Sequence, residues 1–163
     1  MIELIRLDER LIHGQVAAKW MKVLDTDRII VADDYSASDS ISRKTLMMAA
    51  EGTGKKTVIK SIKDTLTILN DPRCVNLKVF VITANVEDVK KIIDGVDHAT
   101  VKGINIGNYG IIKESLSPRK QYYDRMYLNE TEYAVMKEIS ESGIECYYQK
   151  TPETNKVFVK DVL

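Results

Sequence analysis

A chain of 163 residues with 44% apolar and 29% charged residues is long enough for one full core and too apolar for a disordered segment. Lys plus Arg number 24, as do Asp plus Glu, so nothing in the charge points to nucleic acid or an acidic membrane surface as partner. No apolar run approaches the roughly 18 residues of a membrane span. The charged start (Glu3, Arg6, Asp8, Glu9, Arg10) does not read as a secretory leader. Cys74 and Cys146 lie far apart, outside metal-ligand spacing. A long-range disulfide and two thiols are both open, and the expected cytosolic setting favours thiols.

In chain order, the first apolar run is Ile2–Leu7. A helix is expected over residues 15–24, with Val16, Trp20 and Leu24 spaced by four. Strands follow at Arg28–Ala32 and Lys56–Lys60. Ser61, with Asp64 three residues on, then starts a helix whose stripe is Ile62, Leu66 and Leu69. Residues 77–83 read as a strand. Asn85 with Asp88 opens the next helix (stripe Val86, Val89, Ile93), which Gly95 stops. After a strand at 103–106, residues 111–127 hold Pro118 and resist the pattern, reading as a loop with an extra edge strand. Asn129 with Glu132 starts a helix ending at Gly143, and residues 144–149 form the next strand. The tail, 156–162, reads as a last edge strand or a docking segment. These elements predict a single α/β domain over residues 1–163: an open, mostly parallel doubly wound sheet of about six to seven strands with helices on both faces.

In such a sheet ligands sit beyond the carboxyl ends of the strands, here loops 8–14, 33–40, 84–85 and 107–110 together with Ser61. The first loop is the richest. His13 stands at the turn from the first strand into the first helix, and a neutral imidazole is a nucleophile near pH 7. Gly14 lets backbone come close to a ligand, and the N–H groups of Gly14 and Gln15 open the helix. Arg10 supplies a guanidinium that can pair two phosphate oxygens, and Asp8 can orient either Arg10 or the imidazole. These residue types describe a phosphoryl acceptor site, although a capping histidine beside an Arg10–Asp8 ion pair is the plainer reading of the same spacing.

The run Arg6-Leu7-Asp8-Glu9-Arg10-Leu11-Ile12-His13-Gly14-Gln15-Val16, followed by Trp20, resembles the signature of the IIB component of the mannose/fructose/sorbose-type bacterial phosphotransferase system. Further similar stretches follow in order: residues 29–34 with Ala37 and Asp39, the glycine loop 103–107, and 143–145 with Gln149 and Pro152. Glu9 stands where the family more often has Asp, and Ala50-Glu51-Gly52 lacks a proline often found before that glycine. The resemblance implies a relay in which phospho-IIA passes a phosphoryl group to Nδ1 of His13. The group then goes to a hexose or amino sugar imported by the membrane components IIC and IID. It also implies a place at the inner face of the membrane, no metal or other cofactor, no nucleic acid, and a homodimer left open. Arg10, Gly14 and Gln15 would hold the phosphate, with Asp33, Asp34, Asn105 and Gly107 as candidate rim residues.

Other features read more plainly. Asp33-Asp34 suits helix capping better than a magnesium site, because Lys60-Ser61 stands where a receiver-type acceptor acid would be needed. His98 precedes a strand, so it belongs at the opposite end of the sheet. Gly103, Gly107 and Gly110 have the wrong spacing for a dinucleotide fingerprint and suit a loop approaching the site. Lys113, Arg119, Lys120 and Arg125 form either a solvated face or a docking patch for an acidic partner. A histidine phosphatase would need arginine where Ile12 stands. A non-catalytic phosphate or sugar-phosphate binding module remains the rival from another class.

Overall fold

The computed structural model describes residues 1–14, 16–112 and 115–163. Strand β1 (Ile2–Leu7) lies between β4 (Val79–Thr83) and β5 (Ile104–Ile106), parallel to both. Outward from β4 come β2 (Arg28–Ala32) and β3 (Lys56–Lys60), also parallel; outward from β5 comes parallel β8 (Cys146–Tyr148). Short β9 (Val157–Phe158) closes that edge antiparallel, so among the described residues the sheet has seven strands in the order β3-β2-β4-β1-β5-β8-β9. The tail is therefore an edge strand, followed by a 3₁₀ turn at Val159–Asp161.

Strands that are apolar on both faces need a cover on both faces. Ile5, Leu7, Val81, Ile104 and Ile106 pack toward α4 (Ile62–Leu69), α5 (Val86–Asp94) and α6 (Glu130–Ser140). Leu4, Ile29, Val31, Phe80 and Ile82 pack on the other side with Leu11, Trp20, Met21 and Ala50. Each such fully buried side chain is worth about 1.5–3 kcal/mol relative to exposure. The helix starts follow their polar residues with one exception. Ser61 accepts the Asp64 N–H (3.0 Å), and Asn129 and Glu132 form a complete capping box. Asn85 instead donates its side-chain amide to Asp88 Oδ2 (2.8 Å).

Two expectations are corrected and one is refined. The first helix is not a uniform α-helix: Val16–Trp20 winds as a π-helix before the α-helical turn Met21–Val23, α1. The segment between β2 and β3 is helical, as the alternation implied, but divided into two helices, α2 (Asp34–Ser38) and α3 (Ser40–Glu51), capped by Asp33 and Asp39. Of α3 only Ala50 is fully buried, so the sequence carries no clear apolar stripe there. Among the described residues, 111–127 add no strand to the main sheet. They hold β6 (Lys120–Tyr123), which pairs with β7 (Met126–Leu128) in a separate antiparallel hairpin.

Because the six inner strands run parallel, Asp8, Asp33, Ser61, Ala84 and Gly107 all leave the sheet at one end. The chain goes from β1 to one side and returns, after β4, to the other, which opens a crevice at the end of β1. His98 begins a 3₁₀ turn before β5, at the opposite end, where Val101 bridges Ile2; its ring lies 3.1 Å from the Ile93 carbonyl. Gly110 joins the β5 loop to the hairpin at φ +82, and an added Cβ would stand 2.1 Å from the Tyr127 carbonyl oxygen. Gly110→Ala is expected to cost more than about 1 kcal/mol, read as a lower urea midpoint at unchanged slope.

Candidate functional site

The chain turns sharply after β1. The Leu11 N–H donates to the Asp8 carbonyl (2.9 Å) and the Arg10 N–H to Asp8 Oδ1 (3.2 Å). Leu11 sits at φ 55, a left-handed conformation costing a branched residue about 1–2 kcal/mol, offset by burial of its side chain. This turn folds His13 back over the fully buried Asp8 carboxylate, with Nε2 3.2 Å from Oδ2. An ionised carboxylate only accepts, so in the neutral imidazole Nε2 carries the ring proton and Nδ1 keeps its lone pair. Among the described residues none reaches Nδ1, and the ring is 17% exposed. Burial works to raise the Asp8 pKa. The His13 hydrogen bond, the Arg6 and His13 charges and the Arg10 N–H outweigh it, so the carboxyl is held below its ordinary range.

The same Oδ2 accepts from Arg6 Nη2 at 2.8 Å. Arg6 points from β1 into the Trp20 face of the sheet and is 1% exposed, its guanidinium 5.0 Å from the indole ring. Nη1 donates to Asn105 Oδ1 and, at 3.3 Å, to the Gln149 carbonyl; Nη2 also reaches the Lys150 carbonyl at 3.3 Å. Asn105 in turn donates to the Gln149 carbonyl (3.1 Å). Burial pushes the Arg6 pKa down, against the pull of Asp8. The guanidinium has this space because residue 107 is glycine. A Cβ there would stand 2.4 Å from Arg6 Nη2 and 2.9 Å from Asp8 Oδ2. Arg6, Asp8 and His13 thus form one chain of polar contacts from the sheet interior to the surface.

The chain matches, over residues 2–163, the model of the family described as PTS system sorbose subfamily IIB component. It belongs to that family. It is 34% identical over 165 residues to a "probable phosphotransferase enzyme IIB component" of Streptococcus pyogenes serotype M6, covering 100% of this chain and 99% of that protein. It is 27% identical over 163 residues to the Escherichia coli mannose-specific EIIAB component, of which it spans 48%. The crystal structure of the IIB domain of the Klebsiella pneumoniae sorbose permease superposes with a TM-score of 0.86 at 26% identity, covering 99% of this chain and 94% of that one. The IIB component is a phosphocarrier subunit with phosphotransferase function, and the doubly wound sheet is that of its family.

The other candidate residues of this IIB component fall into two groups. Arg10 lies on the His13 turn, its side chain 39% exposed and Nε 3.7 Å from Asp8 Oδ1. A Cβ on Gly14 would meet nothing within 4 Å, so the space beside its backbone is open. Gln15 lies outside the described residues. Asn105 and Gly107 sit beneath the site, against Arg6, rather than on a rim. Asp33 Oδ2 accepts from the Ser36 N–H and hydroxyl (2.8 and 2.6 Å), and Asp34 Oδ1 accepts the Ile62 N–H (2.8 Å). Both are caps, as the capping reading expected, and Asp34 turns away toward α4. No His, Cys, Asp or Glu cluster among the described residues could hold a metal ion. Asp33 does line a cavity of about 520 Å³ together with Glu9, Leu11, Tyr35 and Ile41.

The basic residues of 113–125 are engaged differently. Arg119 forks onto Glu132 (Nη2 to Oε1, 2.6 Å; Nε to Oε2, 3.0 Å), Lys120 and Arg125 are exposed, and Lys113 lies outside the described residues. Cys74 and Cys146 are both free thiols; burial raises the Cys146 thiol to about 12. Sequence reasoning missed Arg6 as a functional residue. Its signal was a charged residue in the apolar second half of the central strand (Leu4-Ile5-Arg6-Leu7), two positions before Asp8.

Asp8→Asn keeps the shape and removes the charge that Arg6 faces, so a loss of about 3–5 kcal/mol is expected from urea unfolding at pH 7. The Asp8 pKa is depressed on folding, so its contribution is full above the unfolded value near 4 and vanishes as pH falls through the folded value. The gap between wild type and Asp8→Asn should therefore narrow with acidification below about pH 4.

Proposed function

We propose that residues 1–163 form one IIB unit in which His13 accepts a phosphoryl group from phospho-IIA and delivers it to a hexose or amino sugar held by the IIC and IID membrane components. The observation that carries this is the contact between His13 Nε2 and Asp8 Oδ2, which leaves Nδ1 as the nucleophile. The Nδ1 lone pair attacks phosphorus in line while the N–P bond on the donor histidine breaks and its electron pair returns to the donor ring. In the second half a sugar hydroxyl oxygen attacks phosphorus, the His13 N–P bond breaks with its electron pair returning to Nδ1, and the hydroxyl proton passes to water. Asp8 keeps the Nε2 proton in place through both steps and balances the charge of the ring, while Arg6 holds Asp8 still. Such transfers depend on positioning and charge stabilisation, both supplied by the chain's own residues.

Arg10 and the Gly14 N–H are assigned to the phosphoryl oxygens. One charge-assisted hydrogen bond is worth roughly 1.5–3 kcal/mol, enough to tune a relay, and a deeper set of donors would trap the group. The name of the Escherichia coli relative, an EIIAB component, supports IIA as donor. No helix among the described residues is long and apolar enough to cross a membrane, in keeping with a subunit that works at the inner face through IIC and IID.

The test is intact-mass spectrometry after incubation with phosphoenolpyruvate, the general phosphotransferase proteins and the matching IIA. One acid-labile, base-stable phosphoryl group is expected on wild type and on His98→Ala, and none on His13→Ala. Arg10→Ala should still be labelled, at a rate reduced about tenfold to a hundredfold. No adduct on wild type, with an active IIA verified on another acceptor, would move the assignment to a non-catalytic phosphate-binding module.

A further inference from the structure

Glu9 stands between Asp8 and Arg10 and has no place in the transfer chemistry, yet its carboxylate is nearly buried and specifically engaged. Oε2 accepts the backbone N–H groups of Ile111 (3.0 Å) and Ile112 (2.9 Å), about a hundred residues away in sequence. The Glu9 N–H donates to the Asn108 carbonyl (3.1 Å), so the turn carrying His13 and the loop after β5 are joined at two levels. The same loop is clamped from its far side. Tyr109 donates to Glu132 Oε1 (3.0 Å), Arg119 forks onto that carboxylate, and the Tyr109 backbone exchanges N–H bonds with the hairpin strand.

The side chains of this anchored segment do not join the core. Ile111 and Ile112 are 44% and 58% exposed. Tyr35 and Ile41, exposed at 68% and 76%, line the cavity that Glu9 and Leu11 share with α2 and α3, on another flank of the His13 turn. A buried carboxylate spent on fixing a backbone whose side chains face water has its use when the direction of those side chains matters. A phosphohistidine donor must bring phosphorus within about 3–3.5 Å of Nδ1, so its surface necessarily covers the ground beside His13.

Resting on the phosphoryl-acceptor reading of His13, we propose that Glu9 is a positioning residue: it locks Ile111 and Ile112 beside the His13 turn as an apolar docking shoulder for the IIA partner. The partner is recognised by an apolar surface around its own phosphohistidine. Glu9 touches neither phosphorus nor the reacting ring; it acts through the loop that the donor protein contacts.

The experiment measures initial rates of His13 phosphorylation against phospho-IIA concentration for wild type, Glu9→Ala and Glu9→Gln, and repeats them with phosphoramidate, a donor too small to span the shoulder. Glu9→Ala is expected to raise the KM for phospho-IIA about tenfold with kcat changed less than about twofold, and to affect the phosphoramidate reaction far less. Glu9→Gln should recover most of the loss, since its carboxamide oxygen accepts the same two N–H groups. Should Glu9→Ala fold poorly, Ile111→Ser with Ile112→Ser leaves the tether in place and is expected to give the same rise in KM. Equal losses with both donors, a fall in kcat at constant KM, or variants indistinguishable from wild type would each overturn the inference while leaving the phosphoryl-acceptor reading intact. A wild-type chain that takes no phosphate from phospho-IIA overturns both.

Discussion

Everything at the working end of this IIB component hangs on the buried pair of Arg6 and Asp8, two charges removed from water at the end of the central strand. Taking a guanidinium and a carboxylate out of water is expensive, and such a pair is poor value for stability alone. It persists because both terminal nitrogens of Arg6 are engaged, by Asp8, Asn105 and the carbonyls of 149 and 150, with Trp20 against the guanidinium and Gly107 leaving it room; only Nε lacks a hydrogen-bond partner. The pair is therefore a rigid foundation, and Asp8 lends its remaining capacity to Arg10 and His13. The function uses the exposed end of an arrangement whose energetic cost is borne in the interior.

A second buried carboxylate plays a comparable part in the loop after β5. Glu132 closes the capping box of α6 while it holds Arg119 and Tyr109, and it keeps its charge because those partners outweigh its burial. One residue thus serves helix start and loop anchor. With Glu9 as a third acidic tie, the loops at the carboxyl ends of the strands are fixed by acids accepting N–H groups. Preorganisation of this kind suits the proposed relay, in which one imidazole would be presented in the same pose to donor and acceptor.

Much of the fold was legible because local chemistry and burial agree there. The runs at Ile2–Leu7, Arg28–Ala32 and Lys56–Lys60 became strands with those bounds, and Ser61 and Asn129 capped their helices as their spacing implied. Where the sequence misled, tertiary contacts had overruled local preference. Val16, Trp20 and Leu24 keep a four-residue spacing, but packing of Trp20 beneath Arg6 goes with a π-helical winding that no apolar pattern announces. α3 offered no stripe or bounds because it lies on the surface with Ile41 and Met48 turned outward, leaving periodicity without a buried face to report. The hairpin of residues 120–128 was misplaced because short strands declare themselves but not their partners.

By itself the sequence determined the doubly wound class, the end of the sheet at which a ligand would sit, and the histidine that the geometry singles out, since these follow from strand and helix periodicity and from the motif around residue 13. Only the tertiary structure decided what each neighbour does. It assigned Asp8 to both Arg6 and His13, moved Asn105 and Gly107 from the rim to the floor, turned Asp34 toward α4, and tied Glu9 to residues 111 and 112. The reason is that periodicity is a property of consecutive residues, whereas a buried charge is defined by whatever the rest of the chain brings to it, and some of those partners, such as residues 111 and 112 on Glu9, come from about a hundred residues away.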